Sequence, residues 1–251
     1  EGRTAKLMTS RGCVFNCCFC SVPLISKRRF RARSPANVLE EIKYLVKNYG
    51  IEGIMFEDDN LTTDMKRAKA LFRLITDGHF GLTLYARNFR ADLLDAELLN
   101  LMKGAGFKMI WITPESGNER VLGDVIGKKM SLSTIVRAVK MILDSGLRCA
   151  AAFVIGFPTE TMKEIQDTIN YARRLKAMGV REFWFSIAQP IMGTRLYEES
   201  IKKGLIDGMD YKHFSYSSGA YDTGEFKASE LVTLRDDSMS ELNAMEGPTG
   251  R

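Results

Sequence analysis

The sequence predicts an α/β protein, a partial TIM-like (β/α)6 barrel of parallel strands that stays open on one side. Three observations lead there. Segments of strand character alternate six times with segments of helical periodicity, the pattern of parallel β/α units. The chain has 251 residues and is 45% hydrophobic, enough for one substantial core but too short for eight such units. Polar residues also collect where strands end, the rim on which folds of this kind carry their chemistry.

The elements follow in order. Strand one is expected over Ala5 to Thr9, and the cysteine-rich stretch Ser10 to Ser21 follows it. Ser34 caps the next helix, with Pro35 at its first position, Val38, Ile42, Leu45 and Val46 as its apolar stripe, and Gly50 as its stop. Strand two, Gly53 to Phe56, runs directly into Glu57, Asp58, Asp59 and Asn60, acidic residues that are costly to place at a strand end unless they are used. A helix from Asp64 to Thr76 leads to strand three, Leu82 to Ala86, and then to Arg87 and Arg90. Asp95 caps a helix that stops at Gly104 or Gly106, and strand four, Lys108 to Ile112, delivers Glu115 and Ser116. Helical pieces are expected around Glu119 to Leu122 and from Ser131 to Asp144. Strand five, Leu147 to Ile155, is nearly all apolar, as a strand covered on both faces should be, and ends at Gly156. Thr161 and Glu164 form a capping box for a helix reaching Met178. Strand six, Glu182 to Ile187, ends at Gln189, and Thr194 to Lys203 is the sixth helix.

Beyond residue 205 the pattern weakens. Tyr211 to Tyr221 is rich in aromatics, serine and glycine, and Ala228 to Leu242 reads as a polar amphipathic helix. We expect a core over 1–205 and an extension over 206–251, a lid or the start of a further domain. The abrupt ends, with no initial methionine, read as a domain cut from a longer protein.

The chemistry concentrates at Cys13, Cys17 and Cys20, spaced C-x3-C-x2-C. Three thiolates in one short loop can turn inward on one soft-metal site. Three is the informative number, because a cubane of four irons held by three cysteines keeps one iron open to a small molecule. Structural zinc takes four closed ligands, and a fourth is hard to find: Cys18 is wedged inside the loop, Cys149 is remote, and His79 and His213 are the only histidines. Five cysteines without a secretory segment do not make a disulfide framework, and thiols suit a reducing cytoplasm. The longest strongly apolar stretch, Cys149 to Phe157, is too short to cross a bilayer. The net charge of +5 is mild, and much of it sits in Lys27 to Arg33. No aromatic and basic interleaving recurs, which argues against a nucleic-acid partner and for a solvated loop that meets a cofactor or a reductase.

The loop resembles the cluster motif of the radical S-adenosylmethionine (SAM) enzymes, and further matches follow it in order. They are Arg31-Ala32-Arg33-Ser34-Pro35, Asp58-Asp59-Asn60, Arg90-Ala91-Asp92, Glu115-Ser116-Gly117, Gly156-Phe157-Pro158-Thr159-Glu160-Thr161 and Gly193-Thr194-Arg195-Leu196-Tyr197. The likeness covers about the first 205 residues and is nearest the family's cobalamin-associated branch. That branch usually has Pro after the first cysteine, Gly where Thr159 stands and Pro where Met192 stands, departures that touch fine geometry. No second cysteine cluster is present, against families with auxiliary centres.

The resemblance implies a [4Fe-4S] cluster on Cys13, Cys17 and Cys20 whose open iron chelates SAM. Reductive cleavage then gives methionine and a 5'-deoxyadenosyl radical that takes hydrogen from a small-molecule substrate. It implies SAM contacts from Phe19, whose backbone meets adenine, and from Glu57, Asp58 and Asp59, which suit the ammonium. Arg90 and Gln189 at strand ends, Glu115 and Ser116 for ribose or the methionyl amine, and Val154 and Gly156 for adenine complete the implied set, with Lys128, Lys129 and Arg148 for the carboxylate. Each has a structural alternative, as cap, loop packing or barrel core. Cys18 reads as a passenger thiol. The implied reaction is a cobalamin-dependent methylation or rearrangement of an unactivated carbon. Its cobalamin would sit in an N-terminal domain absent from this chain, and electrons would come from a flavodoxin or ferredoxin. Two other readings stay open: a methylthiotransferase acting on tRNA or protein, and a non-catalytic iron-sulfur or zinc scaffold.

Overall fold

The computed structural model describes residues 2–207 and 215–244. The chain groups into two compact units: Glu1–Asn16, Ser21–Thr113 and Ser133–Ala150 in the first, and Cys17–Cys20, Pro114–Leu132 and Ala151–Arg251 in the second. The predicted α/β architecture of parallel strands is present.

In the first unit β1 (Thr4–Leu7) is followed by β2 (Ser10–Arg11), the short helix α1 (Val22–Ser26) and β3 (Arg31–Ala32), which pairs antiparallel with β2. This replaces the single strand through Thr9 and the solvated loop expected from sequence. Strands of two residues show no periodicity, and the left-handed backbone of Lys27 (φ 50°) and Arg28 (φ 57°) leaves no mark at those residue types. The helix α2 (Pro35–Tyr49) starts as expected, with Ser34 Oγ accepting from the Asn37 N–H at 3.2 Å, and ends at left-handed Gly50. Next, β4 (Gly53–Phe56) lies parallel to β1 and β5 (Thr83–Ala86) parallel to β4, with Leu7, Phe56 and Ala86 in register.

The helices α3 (Met65–Asp77) and α4 (Ala96–Ala105) are capped by Asp64 and Asp95, whose carboxylates accept from the N–H groups of Arg67 at 2.9 Å and Leu98 at 2.8 Å. Parallel bridges from Leu84 to Phe107 and from Phe89 to Ile112 attach the start of β6 (Met109–Glu115). Most of α5 (Leu132–Asp144) completes this unit. Strand side chains alternate between faces. Leu7, Ile54, Phe56, Leu84 and Ala86 are buried on one face, whereas Lys6 and Tyr85 are exposed on the other. Phe56, Phe72, Phe89 and Phe107 join in the core, with Phe72 and Phe107 edge to face at 5.4 Å.

In the second unit the end of β6 and β7 (Arg148–Ile155) join β8 (Glu182–Ile187) in a sheet of order β6-β7-β8. β6 runs three residues beyond the expected strand, so Glu115 closes the strand itself. The helical piece expected near Glu119 to Leu122 is present and continues as a π-helical turn at Val121–Val125. The capping box is built as predicted: α6 (Met162–Ala177) starts with the Glu164 N–H on Thr161 Oγ1 and the Thr161 N–H on Glu164 Oε2. Thr194 caps α7 (Arg195–Lys202). Phe153 and Phe185 stack at 5.1 Å between β7 and β8.

The expected C-terminal helix forms as α8 (Ala228–Asn243), buries Leu231 and Leu242 and lies on β8 and α6. Its Asn243 side chain accepts from the Phe183 N–H at 2.8 Å and donates to the Phe183 carbonyl at 2.9 Å, as a neighbouring strand would. Arg173 forks onto Glu241 with two bonds of 2.7 Å. Part of the expected aromatic segment, 211–214, lies outside the described residues. Among the described residues the sheets do not close into a ring, and no helix is long and apolar enough to cross a membrane.

Candidate functional site

The approach to Cys13 belongs to the first unit and is held from the end of β4. Asp58, buried, accepts from the Thr9 N–H at 3.2 Å, the Thr9 hydroxyl at 2.7 Å and the Ser10 hydroxyl. Asp59 accepts from the Gly12 N–H at 2.6 Å. Asn60 places its amide nitrogen 4.0 Å from Cys13 Sγ. Gly12 has φ 88°, and a Cβ there would stand 2.0 Å from the Arg29 carbonyl oxygen, so both conformation and space demand glycine. Buried Arg67 donates to the carbonyls of Thr9 at 2.9 Å and Arg33 at 2.8 Å. The backbone before the cluster motif is therefore tied at successive residues.

Phe15, between the first two cysteines, lies under the Arg90 guanidinium at 3.7 Å, and Arg90 is forked onto Asp92 at 2.8 and 3.0 Å. Such a cation over a ring is worth about 2 kcal/mol when desolvated. Arg90 is thus engaged by its own chain, as is Asp58. Glu57 is more open and pairs with Lys6 at 3.1 Å.

Cys17 to Cys20 belong to the second unit. The Cys18 N–H donates to the Ile126 carbonyl at 2.9 Å, and the Cys18 carbonyl accepts from the Leu196 N–H at 3.0 Å. Its side chain is buried with Val121, Ile126, Phe157, Ala188 and Leu196, and Cys17, Phe19 and Val154 pack on that cluster. Burial pushes the Cys18 thiol up to about 12, and does the same to Cys149. Both side chains are buried, Cys149 completely. None of the five cysteines is in a disulfide. Among the described residues no three His, Cys, Asp or Glu side chains converge on a point that would hold a single metal ion. A cubane asks for a different arrangement, three thiolates on three separate irons.

Glu115 ends β6 at φ 69°, a left-handed conformation that costs a non-glycine residue about 1–3 kcal/mol and is held only when its surroundings impose it. Its carboxylate is paired with Lys128, 2% exposed, whose Nζ lies 3.0 Å from Glu115 Oε1. Ser116 is buried, shares a 3.1 Å hydrogen bond with Thr168 and accepts from the Asn118 N–H. Gln189 donates to the Ser218 carbonyl at 2.7 Å. At Gly156, φ 87°, the room left by the missing Cβ is filled by Leu231 of α8, and the Gly156 carbonyl accepts from Tyr221 Oη at 2.9 Å.

Glu160, within the stretch Gly156 to Thr161, adds a buried carboxyl to this region. It is 1% exposed, and its Oε2 accepts from the N–H groups of Gly156 at 2.7 Å and Phe157 at 3.1 Å, while Oε1 has no partner. Burial pushes its carboxyl from 4.5 to about 7, against the pull of those two donors. A raised carboxyl favours the protonated form in the fold. Its contribution to stability is therefore complete below about pH 4.5 and is lost as pH rises through about 7. We expect Glu160→Gln to gain on the wild type across that window by up to about 3 kcal/mol, and to run parallel to it above, in urea melts at stepped pH. A flat difference across pH 4.5 to 7 contradicts this reading.

Residues 7–172 match the family model described as Radical SAM superfamily. A relative from Pyrococcus horikoshii named as an uncharacterized methyltransferase is 35% identical over 228 residues, covering 91% of this chain and 49% of its own length. The cytidylyl-2-hydroxyethylphosphonate methyltransferase of Streptomyces wedmorensis is 33% identical over 212 residues, covering 82% of this chain and 39% of its own. The chain thus spans half or less of the length of these curated relatives. Among solved structures, the radical S-adenosylmethionine methyltransferase TsrM from Kitasatospora setae, with cobalamin and a [4Fe-4S] cluster bound, aligns with a TM-score of 0.70 over 80% of this chain and 37% of its own. At 20% identity that is a likeness of fold.

Proposed function

This chain belongs to the radical SAM superfamily and is an enzyme domain; from that premise we propose that it is the radical-generating part of a cobalamin-dependent methyltransferase acting on an unactivated carbon. The observation that carries the reading is the trio Cys13, Cys17 and Cys20 inside the matched region 7–172, with the remaining two thiols buried. The methyltransferase names of the relatives support the reaction class.

On this reading Cys13, Cys17 and Cys20 would hold a [4Fe-4S] cluster, which, reduced by a flavodoxin or ferredoxin, would supply the electron for cleaving SAM to methionine and a 5'-deoxyadenosyl radical. The donor set fits such a group: three thiols spaced C-x3-C-x2-C, with the Asn60 amide beside the first. The protein's own residues orient and shield. Phe19 and Val154 offer apolar surface for adenine beside the strand end at Gly156. Glu115 presents a carboxylate for the SAM amine or ribose, its charge fixed in place by Lys128. Glu57, Asp59, Ser116 and Gln189 complete the polar contacts. Arg90 and Asp58 also brace the loop, Arg90 over Phe15 and forked onto Asp92, Asp58 accepting from Thr9 and Ser10.

We take 1–205 as the catalytic core and 206–251 as its extension, with the cobalamin on a further, N-terminal domain of the whole protein. The thiols suit a reducing cytoplasm. The test is the whole protein, reconstituted without oxygen and given cobalamin, SAM and a reductant. We expect 5'-deoxyadenosine and S-adenosylhomocysteine by chromatography. Iron-loaded protein that forms neither overturns the proposal; 5'-deoxyadenosine with a thiomethylated RNA product moves it to a methylthiotransferase.

A further inference from the structure

The three consecutive residues Asp58, Asp59 and Asn60 do not face outward as a group. They reach the chain at residues 9 and 10, 12 and 13 respectively, so the turn after β4 grips the approach to the first cysteine in the same order as its own sequence. The last of these contacts is the unusual one. Asn60 is 3% exposed, and its Oδ1 accepts from both the N–H of Thr62 at 3.2 Å and the Thr62 hydroxyl at 3.1 Å. A backbone N–H can only donate, so the side-chain oxygen must lie on that side and the NH2 must lie on the other. The amide is oriented by chemistry, and its NH2 faces Cys13 Sγ.

We infer that Asn60 is a positioning residue that donates an N–H to the first cluster-ligating sulfur and thereby raises the reduction potential of the cluster. The inference rests on the proposed function, since it needs an iron on Cys13. The physical reason is that the reduced cluster holds more electron density on its sulfurs. A donor aimed at a ligand sulfur therefore stabilises the reduced state more than the oxidised one. Asp58 and Asp59 would do the opposite if their charges faced the thiolate. Instead their oxygens accept from Thr9, Ser10 and Gly12, and buried Arg67 stands against Asp58. The member of the trio bonded to the sulfur is the neutral one.

The experiment compares whole wild-type protein with Asn60→Leu, which removes the donor, and Asn60→Asp, which keeps an oxygen for Thr62 but loses the NH2. Iron content, a potentiometric titration followed by electron paramagnetic resonance, and deuterium coupling after exchange into D2O are the readouts. We expect both variants to lower the midpoint. The reduced fraction at a fixed low potential should fall several-fold, up to about tenfold, where tenfold corresponds to 59 mV for one electron. The charged Asn60→Asp should move further, and the deuteron coupling assigned to the donor should vanish in both. A variant that folds by circular dichroism but loses iron also supports the assignment, because Cys13 is then no longer held. Unchanged midpoints and unchanged deuterium coupling in fully loaded variants overturn it. Wild-type protein that takes up no cluster fails the proposed function instead, so the two failures are told apart by the iron analysis alone.

Discussion

Replacing any one of Cys13, Cys17 or Cys20 by alanine is expected to remove both the cluster and the formation of 5'-deoxyadenosine. The loss should exceed about 100-fold, the upper end of what is seen when only a residue behind a metal ligand is changed. Cys18→Ala and Cys149→Ala are the controls. Both thiols are buried, Cys18 among Val121, Ile126, Phe157, Ala188 and Leu196, and both variants should keep iron and activity. Cys18 serves the loop through its backbone, bonded to Ile126 and Leu196, which alanine preserves. Iron analysis and chromatography of the SAM products check this. Retained cleavage in Cys17→Ala, or its loss in Cys18→Ala with the fold intact, would reassign the ligands.

The second large effect lies at Lys128. Its ammonium is 2% exposed and bonded to a carboxylate that is itself buried, so Lys128→Met leaves Glu115 charged without its partner. Breaking such a pair from one side costs about 3–5 kcal/mol. Glu115 must also keep a backbone conformation that it would not choose alone. Denaturant melts should show that loss in Lys128→Met and recover much of it in the double variant Lys128→Met/Glu115→Leu, which removes the stranded charge. A single variant within about 1 kcal/mol of wild type would mean that the pair is solvated, contrary to its burial.

Most of the architecture could be read from the sequence because its signals are local. Ser34, Asp64, Asp95, Thr161 and Thr194 announce helices within a few residues, and each caps the helix it announces. The strands Gly53–Phe56 and Glu182–Ile187 fall where the apolar runs placed them. The pairing of β2 with β3 could not be read, since two residues on each side carry no period and the partners are twenty positions apart. The same limit applies to the site. The cysteines and the acidic turn were legible as groups, but not the direction in which Asp58, Asp59 and Asn60 reach. Nor was the dependence of Gln189 on Ser218, or of Gly156 on Tyr221 and Leu231, partners that lie 29 residues away or more. An arginine such as Arg67 gives a faint local hint, because it follows a capping aspartate on the buried side of its helix.

The side-chain amide of Asn243 occupies the outer edge of β8 at Phe183, and the Tyr216 carbonyl takes the N–H of Ile187 further along. A strand edge left bare is a template on which another molecule can assemble. A polypeptide ended after Leu205 would keep every cysteine and every capping residue of the core. It would nevertheless offer two unsatisfied rungs and the apolar patch under Leu231 and Leu242 to its neighbours. A version ended after Leu205 is therefore expected to aggregate where one that keeps Asn243 does not.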